Sequence, residues 1–388
     1  MMTTISPERL KQIRLARGLS LVEVTQRMDD LVTKQALSKY ETGAAQPRPR
    51  ILSRLAEALR VSPDLLREPA PFTITFAFRH GQPALSASER KGIENRLHLA
   101  LEQRVRLQAA IHPGVQVELP IEAFSVETME DVETATEAAR DWMQLGRDAI
   151  TSVVETLETH NMHIFQWDAP EGFDGLSAIV HDETGHHIGA GIVLRKGRCG
   201  ERHRFTAAHE AGHLFLQIAS SLDAEKVCNR FAGAFLIPAD TLREEVGSTR
   251  TRILLPELLL LKSRYGISLQ ALLMRLLELG IISRDYARQR FDVVEQRGWK
   301  TEEPEPLPAE QPRRFVQSVQ RAEAEKLLTA QQAAEMLHER EEISPTAAML
   351  ALMQAAGRKA SDTARAELRA KGVAPIVWRE GHLAEESE

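Results

Sequence analysis

Residues 204–213 read Arg-Phe-Thr-Ala-Ala-His-Glu-Ala-Gly-His, and three of them can do chemistry together. On a helix, His209 and His213 lie one turn apart on one face, so both imidazoles can meet one cation. Glu210 falls on the flank of that pair, where a carboxylate reaches a water that the cation acidifies. The spacing is that of a zinc-dependent hydrolase. Phe205, Ala208, Leu214, Phe215 and Ile218 give the segment the apolar periodicity of a buried helix.

A catalytic zinc takes three protein ligands and keeps one position open, so a third donor is needed. Residues 225–238 supply a second helical pattern, closed by Pro238, with Val227, Phe231, Ala234 and Phe235 directed to a core. Glu225 and Asn229 share one face of it. Glu225 could complete a His-His-Glu set, or it could be a solvated first-turn acid that favours the helix dipole. Asn229 could hold a ligand imidazole by its second nitrogen. The run R-F-T-A-A-H-E-A-G-H followed by E-x-x-x-N-x-F-A-x-x-F-L-I-P resembles the ImmA/IrrE family of metallopeptidases. That resemblance implies a gluzincin-like site binding one Zn2+ per chain, with His209, His213 and Glu225 as ligands and Glu210 as general base.

Two supporting elements must surround such a site. The first is a small sheet: residues 162–167, 176–180 and 188–194 alternate with period two, and Gly185 turns between the last two. We expect an antiparallel sheet, with residues 187–194 as the edge that receives a substrate strand. The second is a leucine-rich helical pair over residues 249–283, broken at Ser263 to Ser268. Five histidines (His163, His181, His186, His187, His203) and Tyr265 are candidates for stabilising an oxyanion, and no spacing rule selects among them.

The charge is uneven. Residues 1–67 carry 12 Lys and Arg against 7 Asp and Glu, a net +5, while the whole chain of 388 residues stands at −6. A basic module on an acidic body points to nucleic acid at the N-terminus. Four short helical patterns fit there, with Ser6, Ser20 and Thr33 as N-caps and Gly18 and Gly43 as stops. The pattern R-x-x-R-G-L-S…Q-A-L-S-K-Y-E-T-G…P resembles the Xre/Cro-like repressors. The resemblance places Thr33, Lys34, Gln35, Ser38 and Lys39 at double-stranded operator DNA, with Arg14 and Arg48 as backbone contacts. Asp29-Asp30-Leu31 makes the turn between the two central helices longer than usual, with acids that repel phosphate.

The expected fold is α+β and mostly helical. It joins an all-α helix-turn-helix domain (1–67), a connector with a long helix (68–115), a gluzincin-like peptidase domain (116–285), and a linker with C-terminal helices and an acidic tail (286–388). Residues 284–310, rich in Pro and acids, read as linker. No apolar run approaches the ~20 residues of a membrane span. Cys199 and Cys228 are too few for a disulfide framework, so a reducing, cytoplasmic setting is expected. Together the two resemblances imply a DNA-binding regulator with a zinc endopeptidase that cuts a partner repressor or antitoxin in a stress or mobile-element response, with homodimerisation expected by analogy with palindromic operator binding. The competing reading is a non-proteolytic Xre-type factor or antitoxin whose metallopeptidase-like domain senses or scaffolds.

Overall fold

The computed structural model describes residues 4–61, 63, 65–67, 72–77, 85–341, 376–379 and 382–385. Parts of the expected connector, of the C-terminal helices and of the acidic tail fall outside them. The fold is α+β and mostly helical. Contacts divide the chain into two compact units, residues 1–318 and 319–388. The second contains α15 (Ala330–Glu341) and the hairpin of β7 (Ile376–Arg379) and β8 (His382–Glu385).

Four helices open the first unit: α1 (Pro7–Ala16), α2 (Leu21–Arg27), α3 (Lys34–Glu41) and α4 (Pro49–Leu59). Each of the first three starts where a side chain satisfies an orphan amide: Ser6 accepts from Arg9, Ser20 and Glu23 form a capping box, and Thr33 accepts from Ala36. Leu10, Ile13, Val24, Leu37, Leu55 and Leu59 close over one core. The long turn after α2 is made by Asp29 and Asp30, both left-handed at φ 53° and 52°. Short polar side chains tolerate that region best.

The body is built on a four-stranded sheet in the order β1 (Thr73–Ala77), β4 (Gly175–His181), β5 (His187–Arg195), β3 (Met162–Trp167). It is mixed where the sequence predicts an antiparallel sheet: β3 runs parallel to β5, and β4 antiparallel to it. A tight hairpin through Gly185 joins β4 to β5, and the chain from β3 must first pass to the far side of β5. Alternating hydrophobicity reports which face is buried, not the direction of the partner. For the same reason β5, expected as the substrate-binding edge, is interior.

One face of the sheet is covered by α5 (Ala87–Ile111). A Cβ on Gly191 or Gly189 would meet Leu101 or Val105, so these glycines permit the close approach. The other face packs on α7 (Val153–Thr159) and α8 (Gly200–Phe215). Behind α8 stand α6 (Asp131–Trp142), α9 (Ala224–Leu236), α10 (Ala239–Val246), α11 (Leu255–Tyr265), α12 (Leu269–Glu278) and α13 (Arg284–Gln296), and α14 (Arg314–Ala324) comes next in the chain. A short parallel pair, β2 (Phe124–Val126) with β6 (Leu216–Ile218), holds the end of α8. The N-terminal helices join this body through α1 and α5, where Arg9 forms a buried ion pair with Glu102.

Residues 284–310 are not an extended linker. Ala287 and Val294 of α13 are buried in the main core. The following proline-rich segment is pinned by Lys262, whose Nζ donates to Glu305 O at 2.9 Å, and by Gly200 N donating to Leu307 O at 2.8 Å. Glu310 pairs with Arg204 and accepts from Val154 N at 2.8 Å. No helix among the described residues is long and apolar enough to cross a membrane.

Candidate metal centre

Two antiparallel-packed helices build the centre. α8 carries His209, Glu210 and His213; α9 begins just after it and carries Glu225 in its first turn. Asp223 caps α9 by accepting from the amides of Glu225 and Lys226, which fixes the turn that presents Glu225. Gly212 lets the helices meet: a Cβ there would stand 3.0 Å from Phe231 Cδ1. Glu133 of α6 then ties α9 to α12, bonding both guanidinium nitrogens of Arg275 at 2.6 Å and Arg230 Nε at 3.1 Å. Burial pushes the Glu133 carboxyl up, but the two guanidiniums outweigh it and hold the pKa below its ordinary value.

The donor atoms converge. His213 Nε2 lies 3.1 Å from His209 Nε2 and 3.3 Å from Glu225 Oε1, and His209 Nε2 lies 3.6 Å from Glu225 Oε2. A tetrahedral cation with bonds near 2.0–2.1 Å separates its ligands by about 3.3 Å, so these spacings fit one. His209 Nδ1 donates to Asn229 Oδ1 at 3.0 Å. An amide oxygen only accepts, so the proton sits on Nδ1 and the Nε2 lone pair faces the cluster. His213 Nδ1 contacts Cys228 Sγ at 3.4 Å. Two imidazole nitrogens and a carboxylate that close together suit a divalent cation of zinc type. Among the described residues, His209, His213 and Glu225 are the group that could hold a metal.

Glu210 is almost fully buried and is held from the sheet. Ser177 of β4 donates its hydroxyl to Glu210 Oε2 at 2.9 Å. Gly175, two residues earlier, makes room: a Cβ there would stand 2.7 Å from Thr206 Cγ2 and 2.8 Å from Glu210 Oε1. Neither residue was singled out by the sequence. The available signal was a small residue at alternate positions of a strand preceding the histidine helix, which is weak without the pairing.

Tyr265 is buried with its hydroxyl donating to Glu245 at 3.1 Å, and burial pushes its pKa up to about 12. The His203 ring meets Arg195 O at 2.7 Å. His163 lies beside Gly189, on the face that α5 covers. His181 and His187 stack edge to face where the hairpin joins β4 to β5, on the side of Glu122, whose amide donates to Leu214 O at 2.8 Å. In the N-terminal helices, Thr33, Lys34, Gln35 and Lys39 are exposed along α3 and its cap, and Ser38 is half-buried. Arg14, expected at phosphate, is instead buried and locked to Glu41 by bonds of 2.6 and 2.9 Å. Asp29 is paired with Arg54 at 2.6 Å.

Residues 10–66 match the helix-turn-helix family, and residues 174–277 match the family of IrrE N-terminal-like domains. The chain carries both domains. The second match runs from the start of β4 to the end of α12, and so contains the cluster, Glu210 and Ser177. A 61-residue stretch of the chain is also similar to the SPbeta prophage-derived uncharacterized HTH-type transcriptional regulator YonR of Bacillus subtilis (strain 168). That match is 43% identical over 61 residues, 15% of this chain and 53% of the relative, so the chain spans about half the length of the protein it matches.

Proposed function

We propose that the chain is a DNA-binding transcriptional regulator that carries a zinc-dependent endopeptidase directed at a partner protein, of repressor or antitoxin type. The observation that carries this is the convergence of His209, His213 and Glu225 beside a buried carboxylate, Glu210, that Ser177 holds in place. His209, His213 and Glu225 would hold one cation, and Asn229 and Cys228 contact the second nitrogens of the two rings and orient them. When bound, the cation acidifies a water to near neutral pH and polarises the scissile carbonyl. Glu210 takes the proton as the water oxygen bonds to the carbonyl carbon. It returns that proton to the amide nitrogen as the C–N bond breaks. The helix-turn-helix module, residues 1–67, reads the operator through Thr33, Lys34, Gln35, Ser38 and Lys39. Gln35 suits adenine, and the lysines suit guanine or phosphate. Two copies on a palindromic operator complete the reading.

The test combines metal analysis with cleavage. The purified chain should contain one zinc per protomer and should cut at least one of a set of candidate repressors co-incubated with it, with cleavage stopped by a chelator. Glu210→Gln should retain the zinc and lose cleavage. Zinc retention with equal cleavage by wild type and Glu210→Gln would refute the role of Glu210. Bound zinc with no cleavage of any partner favours the sensing or scaffolding reading.

A further inference from the structure

The strand β1 stands where a peptide would bind. β4 offers two edges; β5 takes one and β1 the other. β1 comes from the segment between the helix-turn-helix module and α5, about a hundred residues before β4, and pairs antiparallel from Thr73 opposite His181 to Ala77 opposite Ser177. Ser177 is the residue that bonds Glu210. A strand paired on β4 lies ~4.8 Å away, whereas one added outside β1 lies ~10 Å away. An extended peptide that is to present its carbonyl near Glu210 therefore needs the place that β1 fills.

We infer that β1 is a resident, displaceable occupant of the peptide-binding edge of β4, and that an extended partner segment must replace it to be cut. This rests on the peptidase reading above. Directly opposed residues share a face of the sheet. Thr73, Thr75 and Ala77 thus share the face of Ser177 and Ile179, towards α8, and Ile74 and Phe76 share that of Val180 and Ala178, towards α5. The partner segment accordingly carries small or hydroxyl side chains towards the α8 face and bulky apolar ones at the alternate positions. β1 is suited to leave: Thr73 and Thr75 are exposed, and Ile74, Phe76 and Ala77 are only half-buried. Phe72, just before it, is the buried anchor, stacked on His98 of α5. Release of β1 then couples the peptidase to the segment that carries the DNA-binding helices.

The experiment uses the full zinc-loaded chain in three forms. In the release form, Thr75→Pro with Phe76→Pro removes an amide that faces β4, because successive amides point to opposite sides. In the lock form, Thr73→Cys with His181→Cys joins β1 to β4 at the end remote from Glu210, reversibly. The probes are a fluorescein-labelled Phe-Thr-Ile-Thr-Phe-Ala peptide for binding, read in the Glu210→Gln background, and labelled casein for hydrolysis. The peptide should bind the release form about tenfold more tightly than wild type, as expected if β1 is absent about a tenth of the time. It should bind the oxidised lock least and recover on reduction, which shows that the lock chain is folded. Hydrolysis should follow the same order. Equal peptide binding to oxidised and reduced lock overturns the inference. The expected binding order without hydrolysis by any form leaves the strand site standing and removes the peptidase.

Discussion

Substituting Gly175 tests whether Glu210 is positioned from the sheet. Gly175 lies outside the left-handed backbone region, so alanine is opposed by crowding alone. Its Cβ would stand 2.7 Å from Thr206 Cγ2 and 3.0 Å from Glu210 Cγ. Carbon atoms pack best at roughly 3.5–4.0 Å, so one or both helix side chains must retreat by about 1 Å. Overpacking of this kind costs roughly 1–3 kcal/mol. A catalytic group displaced by about 1 Å can lose on the order of 100-fold in rate. Gly175→Ala should therefore lower the urea midpoint by an amount equivalent to about 2 kcal/mol and reduce peptide hydrolysis more than tenfold. Zinc content should stay at the wild-type level, because the proposed ligands, His209, His213 and Glu225, are not touched. Adding Thr206→Ser removes the clash with Thr206 and leaves those with Glu210; stability should return in part while the rate stays low. Wild-type stability together with wild-type hydrolysis in Gly175→Ala would refute the positioning.

Other consequences are open to direct measurement. Lys262 and Glu201 form an ion pair with side chains 2% and 0% exposed. Lys262→Met leaves the buried carboxylate without its counter-charge, held by the Leu307 amide at 3.0 Å, and should cost about 3–5 kcal/mol by urea unfolding, and Glu201→Gln in the same chain should recover part of it. Burial first, then Arg9 nearby, lowers the pKa of His98 to about 4. The unfolded chain binds that proton from about pH 6.5 downwards and the folded chain does not, so stability falls as pH drops. The loss of stability between pH 7.5 and pH 5 should be smaller in His98→Phe than in wild type by up to about 2 kcal/mol, the remainder coming from the other buried histidines, His163 among them, whose pKa is also lowered by burial. Lys34→Ala and Lys39→Ala should each reduce the salt dependence of operator binding by about one unit, whereas Gln35→Ala should relax specificity at one base pair by about 1–3 kcal/mol. Equal salt slopes in all three variants would remove α3 from the DNA contact.

What the sequence determined by itself is local. The spacing of His209, Glu210 and His213 needs only one helical turn to bring them together, and the caps Ser6, Ser20 and Thr33 act within three residues. The helix-turn-helix and IrrE-like segments were legible for the same reason, because their motifs are contiguous. Glu225 was ambiguous between ligand and first-turn acid, since one helix cannot say where another lies; packing of α9 on α8 through Gly212 brings it to the histidines.

The tertiary structure alone decided the rest. It gave Ser177 and Gly175 to Glu210 and placed Arg14 in a pair with Glu41 instead of at phosphate. Pinned against Lys262 and Arg204, the proline-rich segment after α13 is part of the body. β1 reached the edge of β4 across about a hundred residues. Each of these joins segments distant in the chain. The pattern of a strand records which face is buried and is silent on its neighbours, so only the assembled sheet shows which edge lies beside Glu210 and what occupies it.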